Sequence, residues 1–325
     1  MDERTESATR TRRRVLRAIG SGAVAGALAG CQGSNSTQTA SPGDTTTTGG
    51  GSPTTGGSQR GTTTPGGGSG PAGWNCQFQS TLSGDQCSSA KSLSGQITAD
   101  TTIGDTCSEY TVSGKLHVKN GATLTVTPGT RLKFGQGAKI LVSEASALSA
   151  AGTCQEPIVF TGDQQTRGYW DGLVFQNADS VPSTLQYCQV EYAGGSQYTW
   201  APAAGNLVVF DGSRVSVEHC LIRESDAYGV VLSKDAMVDS FEHNVVTVND
   251  LPAWTKAQNA DAFSATSTYA GNDTDRVVVE QGQIAEDSTW DALDADYFVA
   301  DGQNVKVHAG LTIRPGSTVV FGQNA

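Results

Sequence analysis

Lysine is scarce, with eight in 325 residues, and beyond residue 30 the chain carries 15 Lys and Arg against 29 Asp and Glu, a net of −14. Nucleic acids and anionic lipid surfaces bind through clustered basic residues, so this balance excludes both as partners of the body of the chain. Long apolar runs are missing too. The longest small-residue apolar stretch, Ala18 to Gly30, has thirteen residues, short of the roughly 20 that span a bilayer. No span shows the 3.6-residue apolar period of a long amphipathic helix. No Ser-centred nucleophile elbow, phosphate loop or CxxC metal pair is present, which removes the commonest sequence signatures of hydrolases, nucleotide-binding proteins and zinc sites.

What is there begins with six Arg and three acids in the first thirty residues, followed by the Ala18–Gly30 run. That is the layout of a signal-peptide core. Thr11-Arg12-Arg13-Arg14-Val15-Leu16-Arg17 resembles a twin-arginine export signal, and Leu28-Ala29-Gly30-Cys31 resembles a lipobox. The resemblance implies cleavage before Cys31, lipidation of its thiol, and an exported protein held to the membrane by lipid and facing the cell exterior. Residues 31–73 are Ser, Thr, Gly and Pro with almost no apolar side chains. Such a segment cannot repay the entropy of ordering, so it is expected to be a disordered stalk, with a reach on the order of 35 Å. Asn35 and Asn272 begin glycosylation sequons. The acidic balance, with this leader and stalk, resembles salt-adapted archaeal exported proteins.

The body of the chain, residues 74–325, is organised around a stretch that occurs twice. Gly95 to Ala138 returns as Gly282 to Ala325 at a constant offset of 187, keeping among others Gly95/Gly282, Asp100/Asp287, Tyr110/Tyr297, Leu124/Leu311, Pro128/Pro315 and Phe134/Phe321. In each copy short β-rich runs alternate apolar and polar residues and are broken by turn residues, as at Asn120-Gly121 and Pro128-Gly129. Short, evenly spaced strands suit a sandwich, a barrel or a solenoid. The self-repeat favours the solenoid.

Here a resemblance enters. The Tyr110-x-Val112 opening, Leu124-Thr125-Val126-x-Pro128-Gly129, Pro157-Ile158-Val159-Phe160-Thr161-Gly162 and Gly168-Tyr169-Trp170-Asp171-Gly172-Leu173 resemble surface proteins with right-handed parallel β-helix repeats, of the wider pectin-lyase-like class. The resemblance runs from about Gly95 to the end. It implies an all-β right-handed parallel β-helix; Trp170 and Trp290 read as core or turn residues of their repeats. Its motifs specify coil geometry far better than activity.

Cys31 aside, six cysteines remain: Cys76, Cys87, Cys107, Cys154, Cys188 and Cys220. In an exported chain an even number points to as many as three disulfides, among fifteen pairings. Sequence separation favours Cys76 with Cys87 and Cys107 with Cys154. Leu185–Val190, Val217–Ile222 and Phe241–Val246 stack at steps of 32 and 24 residues, and parallel neighbours lie roughly 4.8 Å apart. Cys188 and Cys220 would then be bonded, or form a thiol ladder.

The same register sets Glu218 and His219 over Glu242 and His243. Two imidazoles and two carboxylates suit acid–base work or a divalent metal, or else they are a structural ladder at a bend. Tyr192, Tyr198 and Trp200, on the insertion 194–202 and beside it, are candidates for stacking on sugar rings, or fold back over the coil. Lyases of this fold require clustered acids for Ca²⁺ beside an Arg or Lys, and Asp211, Asp226 and Asp235 show no such pattern. The expectation is therefore a surface protein that binds or scaffolds, with an extracellular polysaccharide or surface glycoprotein as ligand and no cofactor. The alternative is a carbohydrate-active enzyme, a polysaccharide lyase or glycoside hydrolase, and only there does a metal such as Ca²⁺ enter. Because the second copy stops at Ala325 without a polar cap, the expectation at that end is a longer natural polypeptide or end-to-end self-association.

Overall fold

The computed structural model describes Trp74, Cys76 and residues 89–325 other than 197–202 and Lys234. The export signal, Cys31, Asn35, the stalk, Cys87, Tyr198 and Trp200 lie outside the described residues. The described chain is a parallel β-helix. Among the described residues its strands pair only in parallel, with strands one coil earlier or later.

Each coil contributes to three faces. The first is built by Arg131–Phe134, Ile158–Gly162, Cys188–Glu191, Leu221–Arg223 and Val245–Thr247. The second holds Lys139–Ser143, Gly172–Gln176, Gly205–Phe210, Tyr228–Leu232, Leu251–Lys256 and Arg276–Glu280. The third holds Thr101–Ile103, Thr123–Val126, Ala147–Ala151, Ser183–Gln186, Arg214–Glu218 and Met237–Glu242. Strand Glu109–Val118 turns a corner at Gly114, whose φ of 76° suits glycine. Its first half pairs into the first face and its second half into the second.

The alternating pattern read in the sequence fills the interior as columns. Tyr110, Leu132, Phe160, Val190, Ile222 and Val246 follow one another in register, all within 2% of full burial. Each such side chain is worth about 1.5–3 kcal/mol of burial, and because it rests on its neighbours the core is a stack of layers. A second apolar column runs along the outer side of the second face: Leu141, Val174, Val208, Val231, Trp254, Val278 and Phe298 stand in register. Ala203, just after the 194–202 insertion, is buried in this outer cluster.

Corners use single residues in left-handed backbone. Tyr187, His219 and His243, with φ of 48°, 51° and 55°, turn successive coils from the third face into the first. Tyr192, Glu224 and Val248 do the same between the first and second faces. After Leu251–Lys256 the third face is interrupted by a 3-10 helix, Ala257–Ala262, with Ala257 and Ala260 in the core.

The two sequence copies do not occupy equivalent faces. Tyr110–Val112 belongs to the first face, whereas its counterpart Tyr297–Val299 extends the second, on Val277–Val279. The offset of 187 is not a whole number of coils, so the repeat fixes the shape of a coil and not its orientation in the stack.

Candidate functional site

The outer side of the first face carries the polar residues left over once alternate positions enter the core. Arg131 and Lys133 lie on one strand, Val159 and Thr161 on the next, Gln189 and Glu191 on the third. With Gly162, Asp163 and Gln165 they line a groove of about 280 Å³. Glu191 is 4% exposed and fully engaged. Its Oε1 accepts from Thr161 Oγ1 at 2.9 Å, and its Oε2 accepts from Gln189 Nε2 at 2.6 Å and Arg223 Nε at 2.8 Å. A buried carboxylate is tolerated when paired and hydrogen-bonded in this way. Lys133 Nζ donates to Glu109 at 2.9 Å. Below the groove Trp170 donates from Nε1 to the Glu191 carbonyl at 2.8 Å and stacks on Phe134 at 3.9 Å between centroids.

The neighbouring coils of this face are covered. Trp74 packs on Leu221 and Val245, with Cys76 beside it, and a Cys76–Cys154 disulfide ties this segment to the turn before Ile158–Gly162. That corrects the pairing expected from sequence separation: Cys76 does not bond Cys87, nor Cys107 Cys154, although Cys107 is disulfide-bonded. Nearness along the chain misleads in a solenoid, because the entry segment runs across several coils and meets cysteines far from it in sequence. Cys188 and Cys220 are free and buried, the thiol ladder rather than a third disulfide. Each thiol donates to backbone carbonyls, Cys188 to Ala150 and Cys220 to Glu218, and burial beside Cys220 pushes the Cys188 thiol well up.

The Glu–His constellation resolves into two separate columns. Glu218 pairs in register with Gln186 and Glu242. The rings of Tyr187, His219 and His243 stack at the adjacent corner, with centroids 4.7 and 4.9 Å apart. At each left-handed bend the ring lies flat on its neighbour in the next coil. Stacked imidazoles present faces to each other rather than lone pairs to a common ion, and the register is as expected. Among the described residues no group of three or more His, Cys, Asp or Glu is placed to hold a metal. Asp211 and Asp235 are left-handed turn residues, while Asp226 lies beside Gly168.

Two further candidates have partners of their own within the fold. Asn272 Nδ2, the atom a glycan would modify, donates to the carbonyls of Tyr269 at 2.7 Å and Val246 at 3.1 Å. It ends an internal asparagine ladder and is committed to the fold. Tyr192 is half-buried and packed against the core at a corner. Its hydroxyl is pushed up by burial, then by the charges of Glu191 and Glu224.

Sequence reasoning missed three groups. Arg167 reaches Glu224 at 3.3 Å and Asp273 at 2.6 Å, clasping residues 57 and 106 positions away. Glu191 and Arg223 pair across one coil step. Only the register could have signalled these, and only for the Glu191–Arg223 pair. The third is His117, whose Nε2 lies 2.7 Å from Ser143 Oγ on the outer second face. Burial first, then the charges of Lys115 and Lys119, hold its pKa below the usual 6.5, with Glu144 opposing. A lowered folded-state pKa means that the unfolded chain takes up the proton first, so this contribution to stability is present above pH about 6.5 and is lost as pH falls. An NMR titration should place the His117 midpoint below 6.5, and His117→Gln should flatten the decline in stability on acidification. A midpoint at or above 6.5 would contradict the assignment.

Comparison with known families agrees with the geometry: residues 95–180 match the pectate-lyase-like beta helix domain. No curated protein and no solved structure matches the chain. The matched coils include the groove strands Arg131–Phe134 and Ile158–Gly162, and the parallel pairing continues past the match through every later coil to Val319–Phe321. Residues 95–180 are thus similar to a pectate-lyase-like beta helix domain, and the described residues as a whole form a parallel β-helix.

Proposed function

We propose that the protein is an exported, lipid-anchored β-helix that binds or scaffolds an extracellular glycan without turning it over. One observation carries this reading: the buried carboxylate of the groove, Glu191, is saturated by Thr161, Gln189 and Arg223. A general acid or base must exchange a proton with the substrate, whereas a carboxylate locked by three donors holds neighbouring side chains in place. Lys133, Gln165 and Gln189 then present amine and amide groups suited to sugar hydroxyls and carboxylates.

A glycan array probed with the full chain should return binding to an extracellular polysaccharide, and incubation with that ligand should release neither new reducing ends nor unsaturated uronates. Lys133→Ala with Gln165→Ala should weaken binding about tenfold, the equivalent of one charge-assisted hydrogen bond of about 1.4 kcal/mol. Binding indifferent to both changes moves the site elsewhere. Turnover abolished by them makes the protein a carbohydrate-active enzyme and overturns the proposal.

A further inference from the structure

The groove on the first face is balanced in charge. Among its lining residues Arg131 and Lys133 are matched in number by Asp163 and Glu191. Two of the cations at the groove already face carboxylates of the fold: Lys133 Nζ lies 2.9 Å from Glu109 Oε1, and Arg223 Nη2, on the next coil, lies 2.8 Å from Glu191 Oε2. Asp163 and Gln165 differ from these in being exposed, at the rim. The Asp163 backbone N–H donates to the Phe134 carbonyl at 2.8 Å. That bond carries the ladder of the first face one residue beyond Ile158–Gly162 and fixes where the carboxylate stands.

A polyuronate brings one carboxylate with every sugar. To settle here it would compete with Glu109 for Lys133, meet Asp163 at the rim, and approach a body whose net charge beyond residue 30 is −14. Like charges oppose association both at long range and in contact. A neutral sugar meets none of this opposition. Its hydroxyls donate as well as accept, so the two acceptor oxygens of Asp163 and the amide of Gln165 both suit them, and a hydrogen bond to an ionised carboxylate is roughly twice as strong as one between neutral groups. Val159, on the groove floor between Arg131 and Gln189, offers apolar surface to the C–H face of a sugar ring.

We infer that the groove takes a neutral, hydroxyl-rich glycan and that Asp163 is the residue that discriminates against uronates. The inference rests on the glycan-binding reading proposed above and adds to it the class of sugar. Asp163 does so twice over, by accepting from the hydroxyls of a neutral chain and by repelling the carboxylates of an acidic one.

Calorimetric titration of the full chain with a panel of neutral polysaccharides (a β-glucan, a mannan and a galactan) and with polygalacturonate, each at low and at high salt, tests this. At least one neutral polysaccharide should bind about tenfold or more tightly than polygalacturonate. Its affinity should be indifferent to salt, while the residual affinity for polygalacturonate should rise as salt screens the repulsion. Asp163→Asn, a change at an exposed position, should weaken binding of the neutral chain and strengthen that of polygalacturonate, lowering the ratio of the two affinities about fivefold. A variant that merely folded poorly would lose both together. Polygalacturonate bound as tightly as the neutral chains, or bound with an affinity that falls as salt rises, overturns the inference while the glycan-binding reading stands. So does a ratio that Asp163→Asn leaves unchanged. If no polysaccharide of either class binds, the reading and the inference fall together.

Discussion

Asn249→Ala should destabilise the protein by about 3–4 kcal/mol, measured as a fall in the free energy of denaturant unfolding. Asn249 is 0% exposed and occupies the middle of an asparagine ladder that crosses three coils. Its Oδ1 accepts from Ser225 N at 3.0 Å and Asn206 Nδ2 at 3.2 Å. Its Nδ2 donates to the Ile222 carbonyl at 3.2 Å and to Asn272 Oδ1 at 3.0 Å. Alanine strips partners from two backbone groups with no route to water, and each buried group left unsatisfied costs about 1–3 kcal/mol. Water cannot readily fill the gap, because a Cβ built at Gly229 already approaches Asn249 Nδ2 at 2.9 Å and Val246 Cγ1 at 2.5 Å. Asn249→Asp offers no escape, since a carboxylate oxygen would then face the Ile222 carbonyl. Asn272→Ala, at the half-exposed end of the ladder, should cost distinctly less. Equal losses at Asn249 and Asn272 would show that the ladder is not a buried hydrogen-bonded column.

This ladder marks the boundary of what could be read from the residues. The solenoid was legible because its signal is periodic. Alternation in Thr123–Val126 and Arg131–Phe134 fixes which side chains enter the core, and the offset of 187 exposes the repeat. The stacking of Leu185, Val217 and Phe241 was legible for the same reason, and it holds in register. Long-range partners were not. Asn206, Asn249 and Asn272 come together across steps of 43 and 23 residues, and unequal loop lengths between strands hide such steps. The Cys76–Cys154 bond depends on the path of an entry segment that follows no coil period. The face occupied by the second copy depends on the fractional number of coils between copies, which no local pattern records. Of the groove, the strands were visible but the partners of Glu191 were not. Thr161 and Arg223 are ordinary polar residues until the register places them on either side of it.

Trp170→Ala should cost about 3–5 kcal/mol of stability and, on the proposed function, weaken glycan binding at the groove at the same time. The indole is 0% exposed and lies 3.9 Å from the Phe134 ring at an interplanar angle of 9°. Removing it opens a cavity that the neighbouring coils cannot close, because Gly172 and Gly195 already bring backbones into close approach. A Cβ at Gly172 would stand 2.4 Å from the Gly205 carbonyl, and one at Gly195 would stand 2.1 Å from the Gly168 carbonyl. The link to binding runs through Nε1, which donates to the Glu191 carbonyl at 2.8 Å and so fixes the strand that presents Glu191 and Gln189 to the groove. Trp170→Phe separates the two effects. It keeps the stack on Phe134 but leaves the Glu191 carbonyl without its donor, a loss of about 1–3 kcal/mol, and the groove strand loses its tether. The expected order of stability is wild type, then Trp170→Phe, then Trp170→Ala, with glycan affinity reduced in both variants. If Trp170→Phe lowers stability while affinity for the glycan is unchanged, Trp170 is a packing residue only and the groove does not depend on it.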